Sequence, residues 1–128
     1  MNFFSSNSLL MLEKSMGFLW TKQAAVLDNI ANAETPNYKA KVVTFEDSLR
    51  LQLERAAKTE DPRKSVRAAL NVARPNVFEA QESARMDENG VNVTEQSTEL
   101  VRNAYQLQYV FSAISTDLAV LRSAVRGQ

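Results

Sequence analysis

The sequence predicts a mainly α-helical fold, an antiparallel coiled-coil hairpin of N- and C-terminal helices with an irregular or small β-containing middle segment. Two stretches, one at each end of the chain, space their apolar residues alternately three and four apart, the seam pattern of paired helices. Between them, residues 50–92 concentrate 15 of the 30 charged residues together with Pro62 and Pro75. The 128 residues leave room for one domain with a modest core. The natural division is residues 1–40 with 93–128 as the terminal hairpin, and 41–92 as a variable, partly flexible middle segment.

The first helix is expected from Ser6 or Asn7, either a good cap, to about Glu34. Its seam reads Leu9, Leu12, Met16, Leu19, Gln23, Val26 and Ile30. A polar turn then stops it. Asn29, Ala31 and Asn32 are small or amide residues that permit close approach by another chain, and Asn32 can bond the carbonyls freed at the helix end. In Thr35-Pro36-Asn37-Tyr38, Pro36 presets φ and pushes Thr35 out of the α region, while Tyr38 carries an apolar ring with a polar tip. This turn is expected to act in packing between subunits more than in folding one chain.

In the middle segment, residues 45–55 read as a short helix through Leu49 and Leu53. The run from Lys58 to Ser65 reads as a solvated loop. Residues 77–85 and 91–93 read as strands around a turn at Asp87-Glu88-Asn89-Gly90.

The second long helix is expected to start near Asn92 or Thr94 and end near Arg126, before Gly127. Its seam reads Val93, Ser97, Leu100, Ala104, Leu107, Phe111, Ile114, Leu118, Leu121 and Val125. At 1.5 Å per residue the two helices would be about 42 and 50 Å long, and neither buries its seam alone. Residues 1–12 and 103–116 carry no charge. A soluble coiled coil coats its outer face with Glu, Lys and Arg, so neutral faces offering Phe3, Phe4, Tyr105 and Tyr109 point to burial against neighbouring subunits.

Composition narrows the chemistry. Balanced charge, 15 Lys+Arg against 15 Asp+Glu, predicts neither nucleic acid nor direct lipid binding. With no Cys and no His, the usual zinc ligands, thiol nucleophiles and imidazole bases are missing, so no metal or cofactor is expected. The acid pairs Glu46-Asp47 and Asp87-Glu88 have no nucleophile or phosphate loop beside them, and no enzyme is expected. No Lys or Arg precedes Lys14, so a cleavable Sec-type signal is not expected either.

The run Asn29-Ile30-Ala31-Asn32, two residues, then Thr35-Pro36-Asn37-Tyr38 resembles the N-terminal signature of bacterial flagellar axial proteins, with Asn37 where most of them have Gly. Phe45-Glu46-Asp47-Ser48-Leu49 after the turn, Asn89-Gly90-Val91-Asn92-Val93 before the second helix and Leu121-Arg122-Ser123-Ala124 near the end are similar to the proximal rod members of that family. The resemblance implies a structural subunit of the basal-body rod, exported unfolded by the flagellar type III apparatus and lying in the periplasm after export. Such subunits polymerise helically through their terminal helices. Its implied partners are itself, other rod subunits, membrane-ring or rod adaptor proteins and the export gate, for which Phe45 and Leu49 form a candidate recognition element. The rival reading is a soluble helical-hairpin interaction module or chaperone, which shares the heptads but has no need of the signature turn.

Overall fold

The computed structural model describes residues 6–80 and 90–127. Among them the order is α1 (Asn7–Ala31), β1 (Lys41–Thr44), α2 (Glu46–Ala56), α3 (Pro62–Val72), β2 (Asn76–Glu79) and α4 (Val93–Arg126). The chain is mainly helical, its two long terminal helices pack together, and a small antiparallel sheet accompanies them.

Local chemistry sets the ends of both long helices. The Ser6 hydroxyl accepts from the Leu9 N–H at 3.1 Å, and the Asn92 side chain accepts from the Glu95 N–H at 3.3 Å. Gly127 closes α4 in the left-handed region at φ 69°. The first helix stops at Ala31 rather than near Glu34, because Asn32 takes over as its C-cap and turns the chain.

Cross-helix bonds fix the sense of packing. Asn29 meets Gln96, Lys22 meets Glu99 at 2.8 Å, and Asn103 meets Leu19 and Gln23, so numbers rise on α4 as they fall on α1. The helices are therefore antiparallel. Carrying this register along at 1.5 Å per residue sets Asn7 beside about residues 114–118, so the last two turns of α4 extend past the first turn of α1.

On α1 the expected seam faces inward: Leu19 and Val26 are buried, and Leu9, Leu12, Met16 and Ile30 are half-buried. On α4 four of its ten residues do. Leu100, Leu107, Ile114 and Leu121 are half-buried, but Val93, Ser97, Ala104, Phe111, Leu118 and Val125 lie exposed, and Asn103 and Val110 take the inward places one residue before Ala104 and Phe111. The correction has a simple cause. The stripe of Ala104, Phe111 and Leu118 lies at the edge of the inward face, one step beyond Asn103 and Val110, and faces out.

The middle segment also departs from expectation. Residues 62–65, the end of the run read as a solvated loop, instead open α3: Asp61 accepts from the Lys64 N–H at 3.2 Å, Pro62 occupies the first turn, and Val66 and Leu70 supply the inward face. The second strand pairs with β1, not with residues 91–93, in the register Lys41↔Glu79, Val42↔Phe78, Val43↔Val77 and Thr44↔Asn76. Residues 87–89 of the expected turn, residues 81–85 of the expected strand, and Phe3 and Phe4 lie outside the described residues. The expected short helix is α2, shifted by one residue, with Phe45 as its N-cap.

The core gathers Phe18 and Leu19 of α1, Phe45, Leu49 of α2, Leu70 of α3, Ala73 and Val110 of α4. Phe18 and Phe45 stack with centroids 5.0 Å apart and planes 18° from parallel. A second, smaller cluster of Ala33, Ala40 and Val91 packs beneath the turn that follows α1.

Candidate functional site

The turn after α1 is organised by one side chain. Asn29, fully buried, offers two donors and two acceptor sites, and all four are used. Its Nδ2 donates to the Lys41 carbonyl and to Gln96 Oε1, both at 2.9 Å. Its Oδ1 accepts from the Lys41 N–H at 2.7 Å and from the Tyr38 hydroxyl at 3.2 Å. Toward Lys41 the amide behaves as a neighbouring strand would, taking one N–H and giving one, so the end of a helix is stitched to the first residue of the sheet.

The rest of the turn is layered around that bond set. Asn32 Nδ2 donates to the Asp28 carbonyl at 2.8 Å, and Thr35 Oγ1 donates to Asn32 Oδ1 at 3.1 Å. Asn37 sits at φ 58°, the left-handed conformation that a non-glycine residue adopts most readily when it is Asn or Asp. Thr35, Pro36 and Asn37 are exposed at the tip, Ala31 is exposed on the helix, and Ile30 and Tyr38 are half-buried. From below, the Gly90 N–H donates to the Tyr38 carbonyl at 3.0 Å.

Charge follows the same geometry. Burial pushes the Tyr38 hydroxyl above its ordinary pKa, and the Asp28 carboxylate adds to the effect while the Lys41 ammonium opposes it. A hydrogen bond to Asp28, with which it forms an ion pair, raises Lys41. Further along, the hydrogen bond from Lys22 lowers Glu99, with Arg102 helping and burial opposing. No reactive group is set free by any of this. A saturated amide, a capped helix end and paired charges make a brace, in which Asn29 bonds within its own chain.

Phe45 and Leu49 are both buried in the core. The partners Lys41 and Gln96 escape sequence reasoning because they meet Asn29 across 12 and 67 residues. An amide spaced regularly with the seam was the available signal for Asn103.

Apolar surface is exposed along the long helices as well as on the strands. On one side a groove of about 740 Å³ opens between α1, α2 and α4, lined by Phe18, Phe45, Leu49, Leu53, Tyr105 and Tyr109 among others. Elsewhere on the long helices Trp20, Leu27 and Phe111 stand exposed, Trp20 at 61% and Phe111 at 64%. Among the described residues no helix is long and apolar enough to cross a membrane.

Over 123 residues, 95% of the chain and 95% of the relative, the sequence is 26% identical to the flagellar basal body rod protein FlgB of Bacillus subtilis (strain 168). No protein-family model matches the chain. The identity is modest, but the likeness runs from one terminal helix to the other.

Proposed function

We propose that this FlgB-like chain is a structural subunit of the bacterial flagellar basal-body rod, exported by the type III apparatus and polymerised helically through its terminal helices. One structural observation supports this above the rest: the hairpin leaves neutral aromatic surface in water on α4, where Tyr105, Tyr109 and Phe111 are exposed within the charge-free residues 103–116. Monomeric proteins seldom display such a surface unless something covers it. A contact repeated between unlike faces of identical subunits builds a filament rather than a closed ring. Neighbouring rod subunits and the adaptor at the membrane ring are its partners, and the periplasmic basal body its place of work.

Export belongs to the unfolded chain. Phe45 and Leu49 lie four residues apart and are buried once the core closes, so an export gate would read them together only before folding.

The test is complementation. In a strain lacking its own copy, the intact gene restores rods in isolated basal bodies and restores swimming. Phe111→Asp, an exposed substitution, leaves the chain folded and secreted but rodless. Failure of the intact gene to restore rods would overturn the assignment, whereas normal swimming with Phe111→Asp would take the exposed Phe111 out of the rod contacts.

A further inference from the structure

The groove beside α1 has a direction, and one end of it lies where the chain enters its first helix. Asn7 donates to the Arg63 carbonyl and Lys14 to the Asn71 carbonyl, so α1 and α3 run the same way. The short connection at residues 57–61 returns α2 against them. Phe45, ahead of α2, stacks on Phe18, so Leu53 and Glu54 late in α2 lie toward the start of α1. The antiparallel α4 brings Tyr109 toward that end as well, with Tyr105 farther from it. Measured along α1 from Asn7, Met11 is about 6 Å away and Phe18 about 16 Å.

The stretch ahead of α1 matches this end in chemistry and in reach. Residues 1–5, outside the described residues, carry adjacent Phe3 and Phe4 and no charged side chain. Ser6 enters α1 with an extended backbone, φ −68° and ψ 140°. At about 3.5 Å per residue, Phe4 lies within about 7 Å of Ser6 and Phe3 within about 10 Å. That reach takes both rings to Met11 and Tyr109 and stops short of the stack of Phe18 on Phe45. Arg50 and Glu54 are exposed at the mouth, so rings entering beneath them bury no charge. Attachment decides the occupant. A segment tethered a few residues away is present at an effective concentration on the order of millimolar, which a separate molecule in dilute solution does not reach.

We infer that the chain folds back at Ser6 and seats Phe3 and Phe4 among Met11, Leu53 and Tyr109, a plug that masks the groove of the free subunit from within. Burial of two rings offsets the cost of ordering a few residues without greatly exceeding it, so the plug yields to an occupant that binds better. An apolar partner gains the groove only by displacing the plug, and its apparent affinity falls by the fraction of time the groove is closed.

The test uses dilute full-length chain and is separate from the rod reading, because no rod forms in it. The chain has no Cys, so introduced thiols are unique. Asn2→Cys is paired once with Tyr109→Cys, on the groove, and once with Phe111→Cys. Both α4 positions are exposed, and they lie about 200° apart around the helix at nearly the same height. Under air oxidation the Tyr109 pair should close its intramolecular disulfide on the order of tenfold faster than the Phe111 pair. Phe3→Ser with Phe4→Ser should erase that difference. In the chain without added thiols, the same two serines should tighten binding of the apolar dye anilinonaphthalene sulfonate on the order of tenfold, since nothing then competes for the groove. Both serines precede the first helix, so neither disturbs the core.

Equal closure of the two pairs, a difference that survives loss of both rings, a link formed only between molecules, or unchanged dye affinity would overturn the plug. A chain that restores rods yet closes both pairs equally loses the plug and keeps the rod assignment. A plugged chain that restores nothing does the converse.

Discussion

Asn29 and Asn103 are both buried at 0% exposure, one at the end of α1 and one in the middle of α4. Asn29 fills all four of its hydrogen-bonding sites. Asn103 donates to the Leu19 carbonyl at 3.0 Å and to Gln23 Oε1 at 2.7 Å, but its Oδ1 faces no donor among the described residues. The same residue type thus serves two ends. A saturated buried amide stabilises the corner it joins, whereas one with an orphan acceptor costs stability and restricts which arrangements the helices can adopt. Both of Asn103's bonds reach α1, so sliding α4 by a turn breaks the pair together.

Removing Asn29 should produce the largest effect. Asn29→Ala strands the Lys41 N–H and carbonyl beside a new cavity, and should lower the unfolding free energy by about 3 kcal/mol, read as a drop in urea midpoint. A loss within error of zero would mean that water replaces the amide and the contrast between the two residues is false.

At Asn103 the sign should reverse. Asn103→Leu removes the orphan acceptor and should leave stability unchanged or raise it by about 1 kcal/mol. Register should become less well defined, broadening the distance distribution between spin labels placed at exposed Ala24 and Val101. A destabilised protein with an unchanged distribution would make Asn103 an ordinary packing residue.

Tyr38 sharpens the comparison at smaller scale. Its pKa is raised above the ordinary value near 10, so the fold holds this proton more tightly than the unfolded chain does. The resulting stabilisation is complete below the unfolded value, declines as pH rises past it, and is lost above the folded value, where the donor to Asn29 is also gone. Tyr38→Phe should cost less than about 1 kcal/mol at neutral pH and should flatten the alkaline fall in stability, measured by urea unfolding across that range.

How much of this was legible depended on where each signal lay. Ser6, Asn92 and Gly127 act within their own turn of helix, so both helix starts and the end of α4 could be read from neighbours in sequence. The third helix was hidden because Lys58, Glu60, Asp61, Arg63 and Lys64 give its approach the composition of a loop, although Asp61 and Pro62 are a start signal. The outward residues of α4 fall within its three-and-four spacing because periodicity reports that residues share a face, not where a neighbour's cover stops: Ala104, Phe111 and Leu118 lie at the edge of the face that Leu100, Leu107, Val110 and Ile114 turn inward. At the candidate site, the exposed tip at Thr35, Pro36 and Asn37 followed from turn chemistry. The bonds from Asn29 to Lys41 and Gln96 did not, since nothing local to an asparagine announces a partner brought in by packing.

The four bonds of Asn29 also mature at two speeds. Tyr38 and Lys41 lie 9 and 12 residues away, whereas Gln96 is 67 residues distant. Closing a loop of about ten residues takes on the order of 10 to 100 ns, and the longer loop carries a greater entropic cost. A chain folding from its N-terminus can therefore tie the corner after α1 while α4 is still searching, with one amide proton held in reserve for Gln96. The arrival of α4 completes a joint whose other three bonds are already in place, so Asn29 should register in the refolding rate as well as in the final stability.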